Sequence, residues 1–357
     1  MKEYIKYEDV LEKVGRHVRR CRKQGEALLG GERQLALDFN ASRVTIRKVL
    51  AELENSGLIA REKIGTRILP EQRQKFRYGY IATVHHDSGS FWFDFYLRVW
   101  QKLSRLAAEA GFEIEFFGYD PEDPAEPLEK FLGRLDGVDL VFPDIGREEL
   151  HDALREWKDR VVYLNSAVWT EGAPLISLDD VAVGRLGARL LLDAGCRRAA
   201  AVSVLCYPGN VPFKRRAEHF RAAMAAAGAE AEVHTEYEGS RLAQVDALHR
   251  YVNGLPERGF DGIFFMSDEY CDLIASGLFQ AGMVPEKVSL VAFDGSSTAR
   301  AHHPPLTTIG HGSGRMAEEI LRMINRYETL PEKTRFVPEV RTIVPDVYSG
   351  RTLRKQP

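Results

Sequence analysis

The sequence predicts an α/β protein in which a small helical domain with a β-hairpin precedes a body of doubly wound parallel sheets. Three observations indicate this: helical apolar spacing over residues 7–55, a polar and basic stretch at 70–77, and short β-rich runs that alternate with amphipathic helices from residue 78 onward. The body, residues 78–357, is too long for one such sheet, so we expect two lobes there. The predicted organisation is a domain at 1–69, a linker at 70–77 and the body.

The first domain begins with two predicted helices. Residues 7–24 have apolar side chains at helical spacing, and Gly25 ends this helix. A shorter helix follows at 32–39, and a tight turn at 40–41 precedes the third helix.

The third predicted helix, which begins after Ser42, carries basic side chains on one face. Four apolar residues recur at the i, i+3, i+4 and i+7 positions of a buried stripe: Ile46, Val49, Leu50 and Leu53. Arg43, Arg47 and Lys48 therefore point away from the core. They lie in the first turns of the helix, and this N-terminal end is the part of a recognition helix that contacts base edges. The Ser42 hydroxyl is a predicted N-cap, because it can accept a hydrogen bond from a free backbone N–H.

A short hairpin is expected after the third helix. Gly57 can supply the left-handed residue that ends the helix, and we predict a strand at 58–62, a turn at 63–66 and a return strand at 67–69. The order of helix, helix, turn, helix and hairpin is that of a winged helix-turn-helix.

Charge is distributed unevenly along the chain. Residues 1–77 have 18 Lys and Arg and 11 Asp and Glu, a net charge of +7, whereas the remaining residues have 31 and 41, a net charge of −10. A basic domain on an acidic body is typical of a DNA-binding module joined to a part that does not touch DNA. A basic helix face is often merely solvated, but here the helix, the hairpin and the charge asymmetry coincide, which favours DNA binding.

The body alternates predicted strands with helices. Strands are expected at 80–86, 112–119, 138–144, 161–166, 199–205, 231–237, 262–268 and 288–294, with helices that include the segment up to 110, 127–135 and 148–158. Ligands bind beyond the carboxyl ends of the strands in such sheets. This directs attention to the polar residues there: His85, Asp87, Asn165, Ser267, Asp268 and Asp294.

The cysteines and the N-terminus predict a cytoplasmic protein. Four cysteines without C-x-x-C spacing are expected to be reduced thiols: Cys21, Cys196, Cys206 and Cys271. The charged N-terminus offers no apolar export signal, and no apolar run approaches the length of a membrane span.

Residues 26–68 resemble the gluconate-repressor (GntR) family of winged-helix proteins. The family pattern runs roughly LPSERxLA, SRxTVRxAL, LxxxGLI and GxGTxV, and this chain has, in the same order, ERQLA at 32–36, SRVTIR at 42–47, GLI at 57–59 and GT at 65–66. It departs at Gly31, which cannot cap the second helix with a side chain, and at Lys63, which replaces the usual first glycine of the wing. The resemblance implies that six residues approach the DNA: Arg33, Arg43, Thr45, Arg47, Gly65 and Thr66. We add Ser42 and Lys48 to this predicted DNA-binding set.

Residues 78–347 resemble the effector domain of the lactose-repressor (LacI) family, which is similar to periplasmic sugar-binding proteins. The motifs are LDD at 178–180, LLDAGCRRAAAV at 191–202, RRAEHFRAAMAAAG at 215–228, MVPEKVSLVAFDGSS at 283–297 and PPLTTIGH at 304–311. A GntR-like head on such a body is the architecture of the arabinose-repressor (AraR) group. The resemblance implies a two-lobed, periplasmic-binding-protein-like body for effector sensing and dimerisation.

The same resemblance implies five ligand contacts: Asn165, Arg216, Ser267, Asp294 and His311. His311 stands where the family usually has Gln, and Ser267 where it frequently has Asn. Carboxylate, amide and guanidinium groups hydrogen-bond sugar hydroxyls, and an aromatic ring covers the apolar face of a sugar. Further candidates come from the loop expected after the first strand of the body and from the end of a later strand: Phe91, Phe93, Asp94 and Tyr237.

Three of these assignments have an alternative interpretation. The aromatic cluster at 91–96 could be helix-packing core, Asp294 could cap a turn, and Arg216 could form a surface ion pair.

The sequence does not favour an enzyme. It lacks the GxSxG, Walker A and HExxH motifs and a dinucleotide-binding glycine pattern in strand-turn-helix context. The adjacent pairs His85-His86 and His302-His303 cannot both face one metal from a regular strand, so we expect neither a metal nor another cofactor. A pyridoxal-phosphate-type body on the same head is the main alternative, and it would require a longer chain and a lysine at a strand end. A transport-type binding protein would require an export signal.

We therefore expect a ligand-responsive transcriptional regulator, a repressor in preference to an activator. It would bind double-stranded operator DNA of palindromic sequence as a homodimer, and a small sugar or sugar derivative between its two lobes.

Overall fold

The computed structural model describes residues 7–24, 26–62, 65–69, 76–83, 92–121, 123–144, 148–165, 172–203, 211–234, 240–268, 270–330 and 338–355. The chain forms two compact units. Unit 1 comprises Met1–Ser88, Tyr96–Ile176 and Gly314–Arg341, and unit 2 comprises Gly89–Phe95, Ser177–Ser313 and Thr342–Pro357.

The N-terminal domain, which lies in unit 1, has three helices followed by a two-stranded antiparallel sheet. Its elements are α1 (Tyr7–Lys23), α2 (Glu32–Asp38), α3 (Arg43–Asn55), β1 (Ile59–Glu62) and β2 (Gly65–Ile68). This confirms the predicted order of a winged helix-turn-helix. The turn predicted at 63–66 is wrong at its second half, because Gly65 and Thr66 already pair with β1.

An apolar core holds this domain together. The predicted stripes of α1 and α3 are at most 3% exposed: Val10, Leu11, Val14, Val18, Ile46, Val49, Leu50 and Leu53. Leu35 of α2 is also buried, and Leu330 from the body packs against the same cluster. Burial of the α3 stripe turns the basic side chains of that helix outward.

One six-stranded sheet carries the first lobe of the body. Its strand order is β13-β7-β6-β5-β3-β4, and the contiguous strands from β7 to β4 run parallel. The strands are β3 (Tyr78–Thr83), β4 (Ile114–Tyr119), β5 (Leu140–Asp144), β6 (Tyr163–Leu164), β7 (Leu175–Leu178) and β13 (Val340–Ile343), and the helices in this part of the chain are α4 (Trp92–Ala110), α5 (Leu128–Arg134) and α6 (Glu148–Leu154).

A second six-stranded sheet carries the other lobe, in the order β14-β12-β11-β10-β8-β9. It is parallel except for β14, which pairs antiparallel with β12. The strands are β8 (Arg198–Val202), β9 (Glu230–His234), β10 (Gly262–Phe265), β11 (Ser289–Asp294), β12 (Thr307–Gly310) and β14 (Asp346–Tyr348), and the helices are α7 (Asp180–Asp193), α8 (Val211–Ala226), α9 (Arg241–Asn253), α10 (Cys271–Ile274), α11 (Ser276–Gln280) and α12 (Ser297–Ala301), with α13 (Ser313–Thr329) leading back to unit 1. Two lobes with parallel sheets confirm the predicted fold class.

The aromatic segment after the first strand of the body is helical from Trp92 onward, so the loop predicted for Phe93, Asp94 and Tyr96 is wrong. The helix forms there because Phe95, Tyr96, Val99 and Leu103 are buried at helical spacing. Phe91 lies outside the described residues, as do His85, Asp87 and Tyr237.

In the part of the chain that the structure describes, no helix is long and apolar enough to cross a membrane. Cys21, Cys196 and Cys271 are buried free thiols. Burial raises the pKa of the Cys21 thiol to about 11. No group of three or more His, Cys, Asp or Glu among the described residues is arranged to hold a metal ion.

Candidate DNA-binding and effector-binding sites

Ser42 caps α3, the predicted recognition helix, as the sequence predicts. Its side-chain oxygen accepts a hydrogen bond from the backbone N–H of Thr45 at 3.0 Å, and the two hydroxyl oxygens lie 2.8 Å apart. The cap leaves the first turn of α3 open at the surface, where Val44, which the sequence analysis did not single out, is 64% exposed.

The arginines of α3 are exposed and partly neutralised by α2. Arg47 is 58% exposed, and its Nε donates to Glu32 Oε2 at 2.8 Å. A guanidinium nitrogen of Arg43, which is 60% exposed, lies 3.8 Å from the same oxygen. Exposed ion pairs of this kind contribute little stability, so both arginines can exchange Glu32 for another anion. Lys48 and Arg33 are also exposed.

The wing presents two further arginines that sequence reasoning missed. Arg61 and Arg67 are 43% and 49% exposed and form ion pairs with Glu54 and Glu62. Gly65 has φ of +139°, a conformation that favours glycine and starts the return strand. The signal that could have located both arginines is their place in the predicted strands of the basic hairpin, at 58–62 and 67–69.

In unit 2, three predicted ligand residues meet around the Asp294 carboxylate. One of its oxygens accepts hydrogen bonds from Ser267 Oγ at 2.8 Å and from the backbone N–H of Asp268 at 3.1 Å. The other lies 2.7 Å from His311 Nε2. All four residues are at most 7% exposed. They follow or end β10, β11 and β12, so the parallel sheet itself brings their side chains together.

Asp294 does not serve as a helix cap. The N-cap of α12 is Ser296, whose side chain accepts from Ala299 N at 2.9 Å. Asp294 has a φ of +116°, which is costly for a residue with a side chain. Its carboxylate does accept the backbone N–H of Asp268 beyond β10, as the turn-capping alternative expects, and the ligand role of Asp294 stays a prediction.

Aromatic rings flank His311. The ring centroids of Phe95 and Phe293 lie 4.3 Å and 4.5 Å from the centroid of the imidazole. Phe95 was not among the sequence candidates, although it belongs to the predicted aromatic cluster and is buried. Its burial fits the interpretation of the aromatic cluster as helix-packing core, and its ring lies against a predicted ligand residue.

Arg216 of α8 forms an ion pair, as the alternative interpretation expects, but the pair is buried and not at the surface, since Arg216 is 4% exposed. Its Nε donates to Asp180 Oδ1 at 2.7 Å, and its guanidinium carbon lies 4.0 Å from the centroid of the Phe293 ring. A side chain at Gly184 of α7 would collide with the backbone carbonyl of Arg216. The glycine therefore permits the close helix packing that buries the arginine, a tertiary effect that its own sequence neighbours do not reveal.

Unit 1 contains a separate buried polar group at the ends of β5 and β6. Asp144, which the sequence analysis did not propose, accepts hydrogen bonds from Asn165 Nδ2 and Tyr80 Oη, each at 3.3 Å. Burial raises the pKa of the Asp144 carboxyl from 3.8 to about 7, against the two hydrogen bonds, which lower it. The candidate Asn165 has a φ of +45° and is thus held in an uncommon conformation. A signal for Asp144 existed, because it closes a predicted buried strand.

Comparisons with known proteins agree with a periplasmic-binding-protein-like body and find transcriptional regulators among the relatives. A family model described as "Periplasmic binding protein-like domain" matches residues 188–352. It does not include the N-terminal domain, whose membership of the GntR family stays a prediction.

Three curated relatives are named as transcriptional regulators. The arabinose metabolism transcriptional repressor of Halalkalibacterium halodurans is 25% identical over 83% of this chain and 82% of its own length. The regulator CelR of Thermobifida fusca is 27% identical over 43% of this chain and 45% of its own length. An uncharacterised regulator of Streptomyces limosus is 34% identical, over 38% of this chain and 39% of its own length. The chain thus spans less than half of two of these relatives. Their names support a regulator over an enzyme.

Solved structures show the same fold. A CelR–cellobiose complex has a TM-score of 0.62 at 21% identity and covers 87% of this chain and 90% of its own. The lac repressor dimer bound to operator and the anti-inducer ONPF has a TM-score of 0.60 at 12% identity and covers 80% of this chain and 96% of its own.

Proposed function

We propose that this protein is a sugar-responsive transcriptional repressor that works in the cytoplasm. One observation carries the proposal: a capped, exposed, basic recognition helix stands in the same chain as a buried carboxylate network at the strand ends of a periplasmic-binding-protein-like lobe. The first can bind DNA, and the second can bind a small polar ligand.

The DNA-binding part of the proposal concerns α3 and the wing, in the manner of the GntR family. Arg43 and Arg47 can donate two hydrogen bonds to guanine O6 and N7 once they leave Glu32, and Lys48 and Arg33 can contact phosphates. Thr45 and Thr66 offer hydroxyl groups, and Gly65 allows close approach of the wing backbone. A homodimer would place two such heads on a palindromic operator.

The effector part of the proposal names a sugar or a sugar derivative. Ser267, Asp294 and His311 supply donors and acceptors for hydroxyl groups, while Phe95 supplies an apolar ring surface. We also propose that Arg216 and Asn165 hydrogen-bond the sugar. One relative is named for arabinose metabolism and one similar structure is a cellobiose complex, which agrees with this chemical class.

The proposed response follows from linkage. A sugar that binds two conformations of the body with different affinities shifts their populations, and with them the affinity for the operator. A sugar without such a preference would bind without any effect on transcription.

A ligand screen tests this function. The full-length protein is first used to select a duplex from a random DNA pool. The melting temperature of the protein is then measured in the presence of pentoses, hexoses and their phosphates. We expect at least one sugar to raise the melting temperature and to change the affinity for the selected duplex at fixed salt. If the protein selects no duplex, the DNA-binding part of the proposal is contradicted. If it selects a duplex but no sugar has an effect, the sensing part is contradicted.

A further inference from the structure

Helix α1 of the N-terminal domain packs closely against α13 of the body. A Cβ atom at Gly15 would lie 3.3 Å from Thr329 Cγ2 and 3.8 Å from Leu53 Cδ2 of the domain's own core. Leu330, which follows α13, packs on the apolar core of the N-terminal domain. All these residues belong to unit 1. The domain thus contacts the body directly and is not joined to it by residues 70–77 alone.

A buried arginine lies at this contact. Arg19 of α1 is 4% exposed and donates through a terminal nitrogen to Asn325 Oδ1. Its other terminal nitrogen lies 3.6 Å from Glu328 Oε2, and its guanidinium carbon lies 4.9 Å from the centroid of the Phe112 ring. A charge this deeply buried is costly without partners, and three of its partners here come from the body.

The body holds these partners in fixed positions. Asn325 is fully buried, and its amide nitrogen donates to the Leu321 carbonyl at 2.9 Å, which leaves its oxygen directed at Arg19. The other Glu328 oxygen accepts from Tyr78 Oη at 2.8 Å, and Tyr78 begins the first strand of the body. A shift of α1 along α13 would separate the buried Arg19 charge from Asn325 and Glu328, so the contact selects one arrangement of the domain.

The docked arrangement leaves the DNA-binding surface open. Arg43, Arg47, Arg61 and Arg67 keep 43–60% of their side-chain surface exposed in the whole chain. We propose that α1 is the docking helix of the N-terminal domain, that Arg19 is its positioning residue, and that the domain binds DNA while docked on α13. On this proposal the body controls the position of each recognition helix through a rigid contact.

A pair of introduced cysteines tests the contact in solution. In the Gly15→Cys/Thr329→Cys protein, a cysteine sulfur in the position of Thr329 Cγ2 would lie 3.3 Å from the new Cβ at residue 15. This spacing is compatible with a disulfide. The matched control is Gly31→Cys/Thr329→Cys, since no atom lies within 4 Å of a Cβ at Gly31. The single-cysteine variants account for pairing with the native thiols, and mass spectrometry of the oxidised, full-length protein identifies the cross-link.

We expect the 15–329 pair to cross-link about tenfold faster than the 31–329 pair, because docking raises the effective concentration of only one pair. Equal rates would mean that the domain moves freely on its linker and would overturn the proposal. Arg19→Lys keeps the charge but loses the planar donor fork, and we expect it to slow the 15–329 cross-link roughly threefold. Arg16→Lys, at an arginine that is 44% exposed, is the control and should leave the rate unchanged.

A second measurement tests the docked state as the DNA-binding state, and only this part rests on the proposed function. The probe is a duplex selected from a random pool by the unmodified protein. We expect the oxidised 15–329 protein to bind it within about twofold of the reduced form, because cross-linking fixes an arrangement already present. A tenfold loss of duplex affinity on oxidation, restored when the disulfide is reduced, would show that the domain is not docked when it binds DNA. Failure of the unmodified protein to select a duplex would contradict the proposed function instead, while the cross-linking rates would still decide the contact.

Discussion

The Asp144→Asn substitution should change how the stability of unit 1 depends on pH. The pKa of the Asp144 carboxyl is raised from 3.8 to about 7 because the group is buried. Between these values the folded protein keeps a proton that the unfolded chain releases, so the free energy of unfolding falls as pH rises. A shift of about three pKa units corresponds to about 4 kcal/mol, the full loss between pH 4 and pH 8. The amide that replaces the carboxyl has no proton to lose in this range, and the variant should not show this loss.

The assay is urea unfolding at pH 5 and at pH 8, followed by tryptophan fluorescence, to which Trp100 and Trp157 of unit 1 contribute. Since part of the loss falls below pH 5, we expect the stability difference between variant and wild type to move in favour of the variant by about 2–3 kcal/mol from pH 5 to pH 8, whatever its value at pH 5. Asp136→Asn, at an exposed aspartate, is the control and should show no such change. Parallel pH profiles for wild type and the Asp144→Asn protein would refute the reasoning.

Three further predictions concern the candidate sites and one close contact. Arg47→Ala should weaken binding to the selected duplex by about 1–3 kcal/mol and leave sugar affinity intact, while Arg189→Ala should change neither; equal losses of DNA and sugar affinity would contradict separate sites. Gly295→Ala should destabilise the protein by about 1–3 kcal/mol in thermal unfolding, because φ is +62° and the new Cβ would lie 2.7 Å from the Tyr348 ring, whereas Gly133→Ala in an open helical position should be neutral or stabilising. Unchanged stability at 295 would show that the local backbone relaxes easily. His311→Ala should abolish the thermal shift caused by an identified sugar and leave duplex affinity without sugar unchanged; a retained shift would remove His311 from the site.

Local pattern was sufficient to predict much of the fold. The α3 stripe repeats within eight residues, and Ser42 caps a helix whose first turn lies next to it in sequence, so neither prediction needed tertiary information. The Ser267, Asp294 and His311 cluster was also predictable in outline, because parallel strands bring their carboxyl ends to one edge of a sheet.

Features that depend on distant packing were not predictable in the same way. Arg216 is buried because Gly184 lets α7 approach α8, and neither residue alone indicates that contact. Strand β7 and the strands from β12 to β14 escaped prediction because they are short and are stabilised by neighbours far away in sequence. Arg19 looked like one more basic residue of α1, and its burial comes from partners about three hundred residues away.

The fixed network around Asp294 has a consequence for ligand discrimination. Its carboxylate oxygens are already held by Ser267, Asp268 and His311 before any ligand arrives, so little reorganisation is required when a hydroxyl group joins them. A deoxy sugar would instead cover the carboxylate without donating a hydrogen bond to its remaining acceptor site. Sites built on such hydrogen bonds can reject an analogue that lacks one hydroxyl by about 10⁴-fold. If the proposed function holds, the site would select its sugar mainly by rejecting analogues that lack one hydroxyl group. The size of the sugar would contribute less to this selection.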